Sequence, residues 1–296
     1  MPRVSVIIPV YNGEKTIQKT VASVLNQTFS DFELLIVNNG STDATSAIVA
    51  GFNDRRIRAL SISRSSSARS RNYGITHACG EYLAFLDADD LWLQDKLREQ
   101  LQALQEAPEA HLAYSWTDHI DEDGNFLYPG THACFSGHVY QQLLVYDFIE
   151  SGSNVLLKQE ALRGCGGFDE SLGTAEDWDL WLRLARSYAV TVVPRVQVLY
   201  RHSADSKSFR LSAHKKAIFT VIERNYAQAP ASLRYVRKDT YAHAWLYLWC
   251  KAIEQFFMRH RCCRPCMRLW YRCNNSPSLR AGARRTIISL LRFVRR

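Results

Sequence analysis

The chain has 296 residues, of which 47% are hydrophobic, 11% aromatic and 22% charged, enough apolar content to bury a core and too much for a disordered polymer. Its 14 glycines and 8 prolines exclude a fibrous repeat, and the lack of eighteen consecutive uncharged apolar residues argues against a membrane-spanning helix. The net charge of +8 is uneven: residues 241–296 carry 12 Lys/Arg against Glu254 alone, which leaves −3 for residues 1–240.

From the N-terminus, the β-branched run at residues 3–8 ends at Pro9 and reads as a strand. Ile17, Val21, Val24 and Leu25 then recur at helical spacing within residues 14–27. A second apolar run, residues 33–37, enters Asn38-Asn39-Gly40-Ser41-Thr42-Asp43, where Gly40 permits a tight turn and Ser41 or Thr42 is placed to cap a helix over 43–52. A third strand is expected at 57–62, a helix at 67–78, and a buried strand at 81–86 running into Asp87-Ala88-Asp89-Asp90. Strands alternating with helices predict a doubly wound, mainly parallel sheet. Ligands bind beyond the carboxyl ends of such strands, where the loops 10–13, 38–43 and 87–90 fall together. After a helix at about 93–106 the pattern loosens into an α+β half, with a turn at 121–125, a Gly-rich turn at 164–167 and a helix over 176–186.

Asp87, Asp89 and Asp90 close an apolar strand, and three carboxylates so close repel one another unless a cation or solvent offsets them. The oxygen-rich set suits Mg²⁺ or Mn²⁺ shared with a diphosphate. The same acids also suit the start of a helix near Trp92. Five segments in order carry more weight: VSVIIPVYNG, VNNGSTD, SARSRNYGI, YLAFLDADD and SGSNVLLKQEALRGCGGFDESLGTAEDWDLWLRLA. Together they resemble glycosyltransferase family 2, inverting nucleotide-sugar transferases of the GT-A fold, over about two-thirds of the chain.

The resemblance implies a nucleotide-sugar-binding half at 1–110 and an acceptor-binding half of the same domain at 111–210; beyond it, charge and composition mark a helical basic extension at 211–296 that suits membrane association. The resemblance places Pro9, Tyr11 and Asn12 around the nucleotide base, where an aromatic ring can stack. Many relatives carry Asp-Asp-Gly-Ser where this chain has Asn38-Asn39; an amide oxygen at Asn39 still accepts from uracil N3–H without a charge, and leaves thymine or guanine open. A UDP-sugar is the expected donor. Arg71 matches phosphate or base acceptors, Asp89 is assigned to the metal, and Asp87 to the ribose or the metal's surroundings, while Asp90 is free to cap the next helix. Asp177 is the expected base that deprotonates the acceptor hydroxyl. Glu176, Trp178, Phe168 and Asp169 fall on the acceptor side, Trp178 either as a sugar platform or in the core, and His202 is placed to reach the metal or diphosphate.

In the tail, Cys262, Cys263, Cys266 and Cys273 match no paired zinc module, and reduced thiols are expected. Thr240–Met258 mixes Trp245, Trp249, Phe256 and Phe257 with Lys251 and Glu254, and Ile287–Val294 adds apolar residues among arginines. Amphipathic helices of this kind suit an anionic membrane surface. The expectation is thus a cytoplasmic enzyme peripheral to the inner face of a membrane, acting on a glycan or lipid-linked acceptor in surface polysaccharide synthesis. The alternatives are a nucleic-acid-binding protein using the tail, for which no base-reading motif exists, or a sugar-binding GT-A protein without catalysis.

Overall fold

The N-terminal β-branched run forms β1 (Val4–Val10), which is paired on both sides and buried on both faces, as a continuous rather than alternating apolar run requires. The computed structural model describes residues 1–203 and 210–259. Beyond β1 the chain runs α1 (Ile17–Leu25), β2 (Phe32–Asn39), α2 (Thr45–Ala50), β3 (Ile57–Ile62), α3 (Ser67–His77) and β4 (Tyr82–Phe85). Order β3-β2-β1-β4 is parallel throughout. Helix α3 lies close on β1 because residue 74 is glycine: a Cβ there would stand 2.5 Å from Ile7 Cγ2.

The second half continues the same sheet. It comprises β5 (Leu91–Trp92), α4 (Lys96–Glu106), β6 (Ala110–Ile120), β7 (Phe126–Pro129), α5 (Tyr140–Val145), β8 (Leu156–Lys158), α6 (Gln159–Cys165), α7 (Glu176–Ser187) and β9 (Ala189–Arg201). Strand β8 is antiparallel to β4 and β6, β9 is parallel to β6, and β5 and β7 close the antiparallel edges. The sheet is therefore mixed but mostly parallel, with helices on both faces. Helices α1, α2 and α4 cover one face over Val4, Val6, Ile8, Leu34 and Ile36. On the other, α5 to α7 pack over Ile7, Leu35, Phe85 and Tyr114.

Two helices of the expected extension belong to this second layer. In α8 (Leu211–Gln228) and α9 (Arg237–Arg259), residues Ala217, Ile218, Val221, Ile222, Ala244 and Leu248 join the larger core. The segment Thr240–Met258 thus has an inward side that packs on the enzyme body, while Trp245, Trp249 and Phe256 are exposed. Among the described residues no helix is long and apolar enough to cross a membrane. The cysteine cluster at 262–273 and the apolar patch at 287–294 lie outside the described residues.

Candidate active site

The carboxyl ends of β1, β2 and β4 bring the three polar loops together. Asn12 adopts a left-handed backbone with φ of 51°, a conformation asparagine tolerates. Its N–H donates to Ser41 Oγ at 3.0 Å, and its Oδ1 accepts from the Thr42 N–H at 2.9 Å. Gly13 N–H donates to Thr45 Oγ1 at 2.8 Å and Glu14 N–H to Asp43 Oδ2 at 3.0 Å, so the first two loops are zipped into one wall. Asp43, not Ser41 or Thr42, receives the Thr45 N–H at the start of α2. Pro9 remains within β1 opposite Val37. Tyr11 projects from the wall, 43% exposed, with the Arg64 guanidinium 3.5 Å from its ring centre, a cation–π contact.

Asn39 takes a different place from the one expected. Its side chain is buried, accepting from Ser65 N–H at 2.7 Å and Ser65 Oγ at 2.9 Å and donating to the Ser65 carbonyl at 2.9 Å. The amide ties β2 to the turn before α3, so its acceptor oxygen is already occupied and a nucleotide base is not its partner.

The acidic strand exit is built on Ser153. Asp87 N–H donates to Ser153 Oγ at 3.0 Å, and that hydroxyl donates to Asp90 Oδ2 at 2.6 Å. Arg201 N–H donates to Asp90 Oδ1 at 2.9 Å, while Arg201 Nε donates to the Asp89 carbonyl at 2.8 Å. Asp90 is thereby buried, and burial with the charges of Asp89 and Asp87 drives its carboxyl well above the ordinary range. It caps no helix, since α4 begins only at Lys96. Asp87 and Asp89 stay half-buried at the rim.

Arg71 crosses the cleft from α3. Its Nη2 lies 2.5 Å from Asp87 Oδ1 and its Nη1 lies 2.7 Å from Glu176 Oε1. The guanidinium is buried, its Nε has no hydrogen-bond partner, and it sits 5.2 Å from the Phe168 ring centre. Burial disfavours its charge, yet Asp87, Glu176 and Asp177 hold it fully protonated. Next to it, Asn72 clamps the Gly-rich turn by accepting from Phe168 N–H at 2.8 Å and donating to the Phe168 carbonyl at 2.9 Å.

Helix α7 starts from Ala175, whose φ of 59° is left-handed, a strained conformation for a residue with a Cβ. That kink turns Glu176 onto Arg71 and sets the half-buried Asp177 beside it. Burial and the Glu176 charge push the Asp177 carboxyl up to about 6, with Arg71 pulling the other way. Asp147, in the loop after α5, accepts from Ile149 and Glu150 N–H groups, and burial and the Asp177 charge raise its carboxyl well above its ordinary value.

The rest of the expected acceptor side is structural. Trp178 is buried and its Nε1 donates to the Leu143 carbonyl at 2.9 Å, so it is core and not a sugar platform. Phe168 is buried edge-on against Phe85 and Trp181. Asp169 pairs with Arg224 of α8 and accepts from Ser171 N–H. His202 is also corrected: its Nδ1 is 2.5 Å from Glu254 Oε1, and its Nε2 lies 2.8 Å from both Tyr128 Oη and His119 Nδ1. Both ring nitrogens are engaged by protein, which leaves no lone pair for a cation.

Nothing local in the sequence marks Ser153, Arg201 or Arg64, whose partners Asp90, Asp89 and Tyr11 are distant along the chain. Among the described residues no three His, Cys, Asp or Glu side chains enclose a metal position. The donor set that does exist, hard oxygens of Asp89 and Asp87 at the rim, fits a divalent ion that takes one or two carboxylates and completes its shell with phosphate oxygens.

Comparison with known proteins agrees with this architecture. The chain is 34% identical over 213 residues to an uncharacterized glycosyltransferase of Rickettsia felis, covering 70% of this chain and 34% of that one. The chain thus spans about a third of the length of the first curated relatives it matches. Over 102 residues it is 40% identical to the Escherichia coli UDP-Glc:alpha-D-GlcNAc-diphosphoundecaprenol beta-1,3-glucosyltransferase WfgD, covering 34% of this chain and 40% of that one. Its fold superposes on Staphylococcus aureus TarS in complex with UDP-GlcNAc with a TM-score of 0.66, at 18% identity over 82% of this chain and 71% of TarS. It also superposes on the Pyrobaculum calidifontis mannosyltransferase PcManGT, solved with GDP-Man and Mn²⁺, with a TM-score of 0.61 at 17% identity, covering 97% and 84%. The fold is that of the GT-A glycosyltransferases. The model of the glycosyltransferase-like family 2 matches residues 5–252, and the chain belongs to that family.

Proposed function

We propose that the chain transfers a sugar from a nucleoside diphosphate to a hydroxyl with inversion, using a divalent cation. The observation that carries this is the cleft around Arg71, where donor-side Asp87 and acceptor-side Glu176 share one guanidinium and Asp177 lies half-buried beside them, its carboxyl raised by burial and the Glu176 charge to about 6. A base is most effective with a pKa close to the working pH. In this reading Asp177 takes the proton of the acceptor hydroxyl as that oxygen attacks the anomeric carbon.

Tyr11, stiffened by Arg64, offers a ring face to the base, with Pro9 and Asn12 shaping the same wall. Asp89, with Asp87 beside it at the ribose or the metal's surroundings, would hold Mg²⁺ or Mn²⁺, and the cation would offset the charge of the leaving diphosphate. Arg71, with both Nη groups on carboxylates, acts as a strut that fixes Asp87 and Glu176. The acceptor is a glycan or lipid-linked sugar of surface polysaccharide synthesis: WfgD acts on a diphosphoundecaprenol-linked sugar. The basic C-terminal segment would bring the enzyme to an anionic membrane surface where such acceptors reside.

The experiment is nucleotide binding followed by transfer. UDP with Mn²⁺ should raise the melting temperature of the wild-type chain, Asp89→Ala should lose that shift, and Asp177→Asn should keep it while losing transfer. Full transfer in excess EDTA, or by the Asp177→Asn chain, would overturn the reading.

A further inference from the structure

Helix α9 lies beyond the five sequence segments that carry the resemblance, yet it is tied to both halves of the cleft. The first tie reaches α7: Tyr247 Oη is 3.2 Å from His214 Nε2, and His214 Nδ1 is 2.9 Å from Thr174 Oγ1. Thr174 immediately precedes the left-handed Ala175 that aims Glu176 and Asp177. The second reaches β9: Glu254 Oε1 meets His202 Nδ1, and His202 follows Arg201, which holds Asp89 and Asp90. Glu254 is also 3.0 Å from Lys251 Nζ. Positions 247, 251 and 254 are spaced i, i+4, i+7 and form one face of the helix.

Tyr247 is the member of this face that meets solvent. It is 42% exposed although the surrounding protein and the charges of Glu254, Asp177 and Asp147, opposed by Lys251, push its phenol up to about 12. The geometry that places it is the chain Tyr247–His214–Thr174, which brings an exposed phenol to the segment leading directly into Glu176 and Asp177. The phenol stays neutral and keeps an O–H and lone pairs for hydrogen bonding.

Given the transferase reading above, we propose that α9 is the acceptor-side wall of the active site and that Tyr247 contacts the acceptor sugar through its hydroxyl, a specificity-determining residue outside the core motifs. The tie through His214 presets the ring, so the acceptor meets a rigid donor–acceptor group beside the base.

The test uses the full-length chain, a UDP-sugar with Mn²⁺, and whichever of a set of alkyl and diphospholipid-linked hexosides and N-acetylhexosaminides the wild type glycosylates. Tyr247→Phe should raise the acceptor KM about fivefold to tenfold, the loss expected for one hydrogen bond to a neutral group, with the donor KM and the UDP–Mn²⁺ melting shift unchanged. His214→Phe, which cuts the tie but leaves the phenol, should have a smaller effect on the acceptor KM. An unchanged acceptor KM in Tyr247→Phe, a loss of the UDP–Mn²⁺ shift, or an equal effect of His214→Phe would overturn the proposal. The last outcome would mean that Tyr247 acts only by holding the helix. A wild-type chain that neither binds UDP nor glycosylates any acceptor takes down the transferase reading, and this proposal with it.

Discussion

Arg71 and Asp87 meet at 2.5 Å across 16 residues of chain, joining α3 to the strand exit, and the same guanidinium reaches Glu176 105 residues away. Removing the cation would leave two acids and the adjacent Asp177 facing one another in a poorly hydrated cleft. Breaking a buried ion pair on one side costs about 3–5 kcal/mol, so Arg71→Ala should lower stability by that order in urea unfolding. Arg71→Lys restores the charge but not the fork that spans two carboxylates. It should fold, yet transfer should fall about 100-fold, because the positions of Asp87 and Glu176 are no longer fixed.

Asp177 sets the pH behaviour. Its carboxyl is raised from the ordinary 3.8 to about 6, so the base is lost as pH falls through 6, and kcat/KM should drop about tenfold per pH unit below that point. The stability sign is opposite. Between pH 4 and 6 the native state binds a proton that the unfolded chain has released, so this group's contribution to stability decreases as pH rises through that window and stays low above it. Asp177→Asn removes the penalty. Allowing for its partial exposure, the variant should be more stable at pH 7.5 by about 1–2 kcal/mol, while transfer falls roughly 100-fold to 10,000-fold.

Much of this was legible in the sequence because the signals are local. Unbroken apolar runs gave β1 and β2, periodic apolar residues gave α1 and α7, and the loops at strand ends fell together by topology alone. What the sequence could not supply is where a polar atom finds its partner. Asn39 has the family's position for reading a base, but Ser65 consumes its amide. His202 follows a strand toward the acidic exit, but Glu254, 52 residues on, claims its Nδ1. A tryptophan on the first turn of an amphipathic helix is either platform or core, and only the Leu143 carbonyl decides for Trp178. The inward side of Thr240–Met258 was not legible because the residues it packs on, in α5 and α8, are far from it in the chain or on another helix.

Ser153 is the small residue on which the acidic motif rests. It accepts from the Asp87 N–H and donates to Asp90, with its own carbonyl held by Trp92 Nε1 at 2.8 Å. Ser153→Ala leaves a buried N–H and a buried carboxyl oxygen unserved, at a cost of about 1–3 kcal/mol. Since the loop carrying Asp89 loses its support, the concentration of Mn²⁺ needed for half-maximal UDP stabilisation should rise at least severalfold. Asp90→Asn keeps the shape but sets an N–H2 donor where an oxygen accepts from Ser153 or Arg201, so it should also cost about 1–3 kcal/mol.

Trp178 separates a core role from an acceptor role. The indole is buried and gives its N–H to Leu143. Trp178→Phe keeps most of the packing and orphans one carbonyl, so it should cost about 1–2 kcal/mol, seen as a lower urea midpoint with unchanged m. Trp178→Ala opens a cavity between α5 and α7 and should cost about 3–5 kcal/mol. A sugar platform behaves otherwise: Phe would still stack, stability would barely move, and the acceptor KM would rise steeply in Ala. In the packing observed here, the acceptor KM of Trp178→Phe stays within about twofold of wild type while the folding equilibrium shifts, because the ring that leaves was holding the helix of Asp177 and not the substrate.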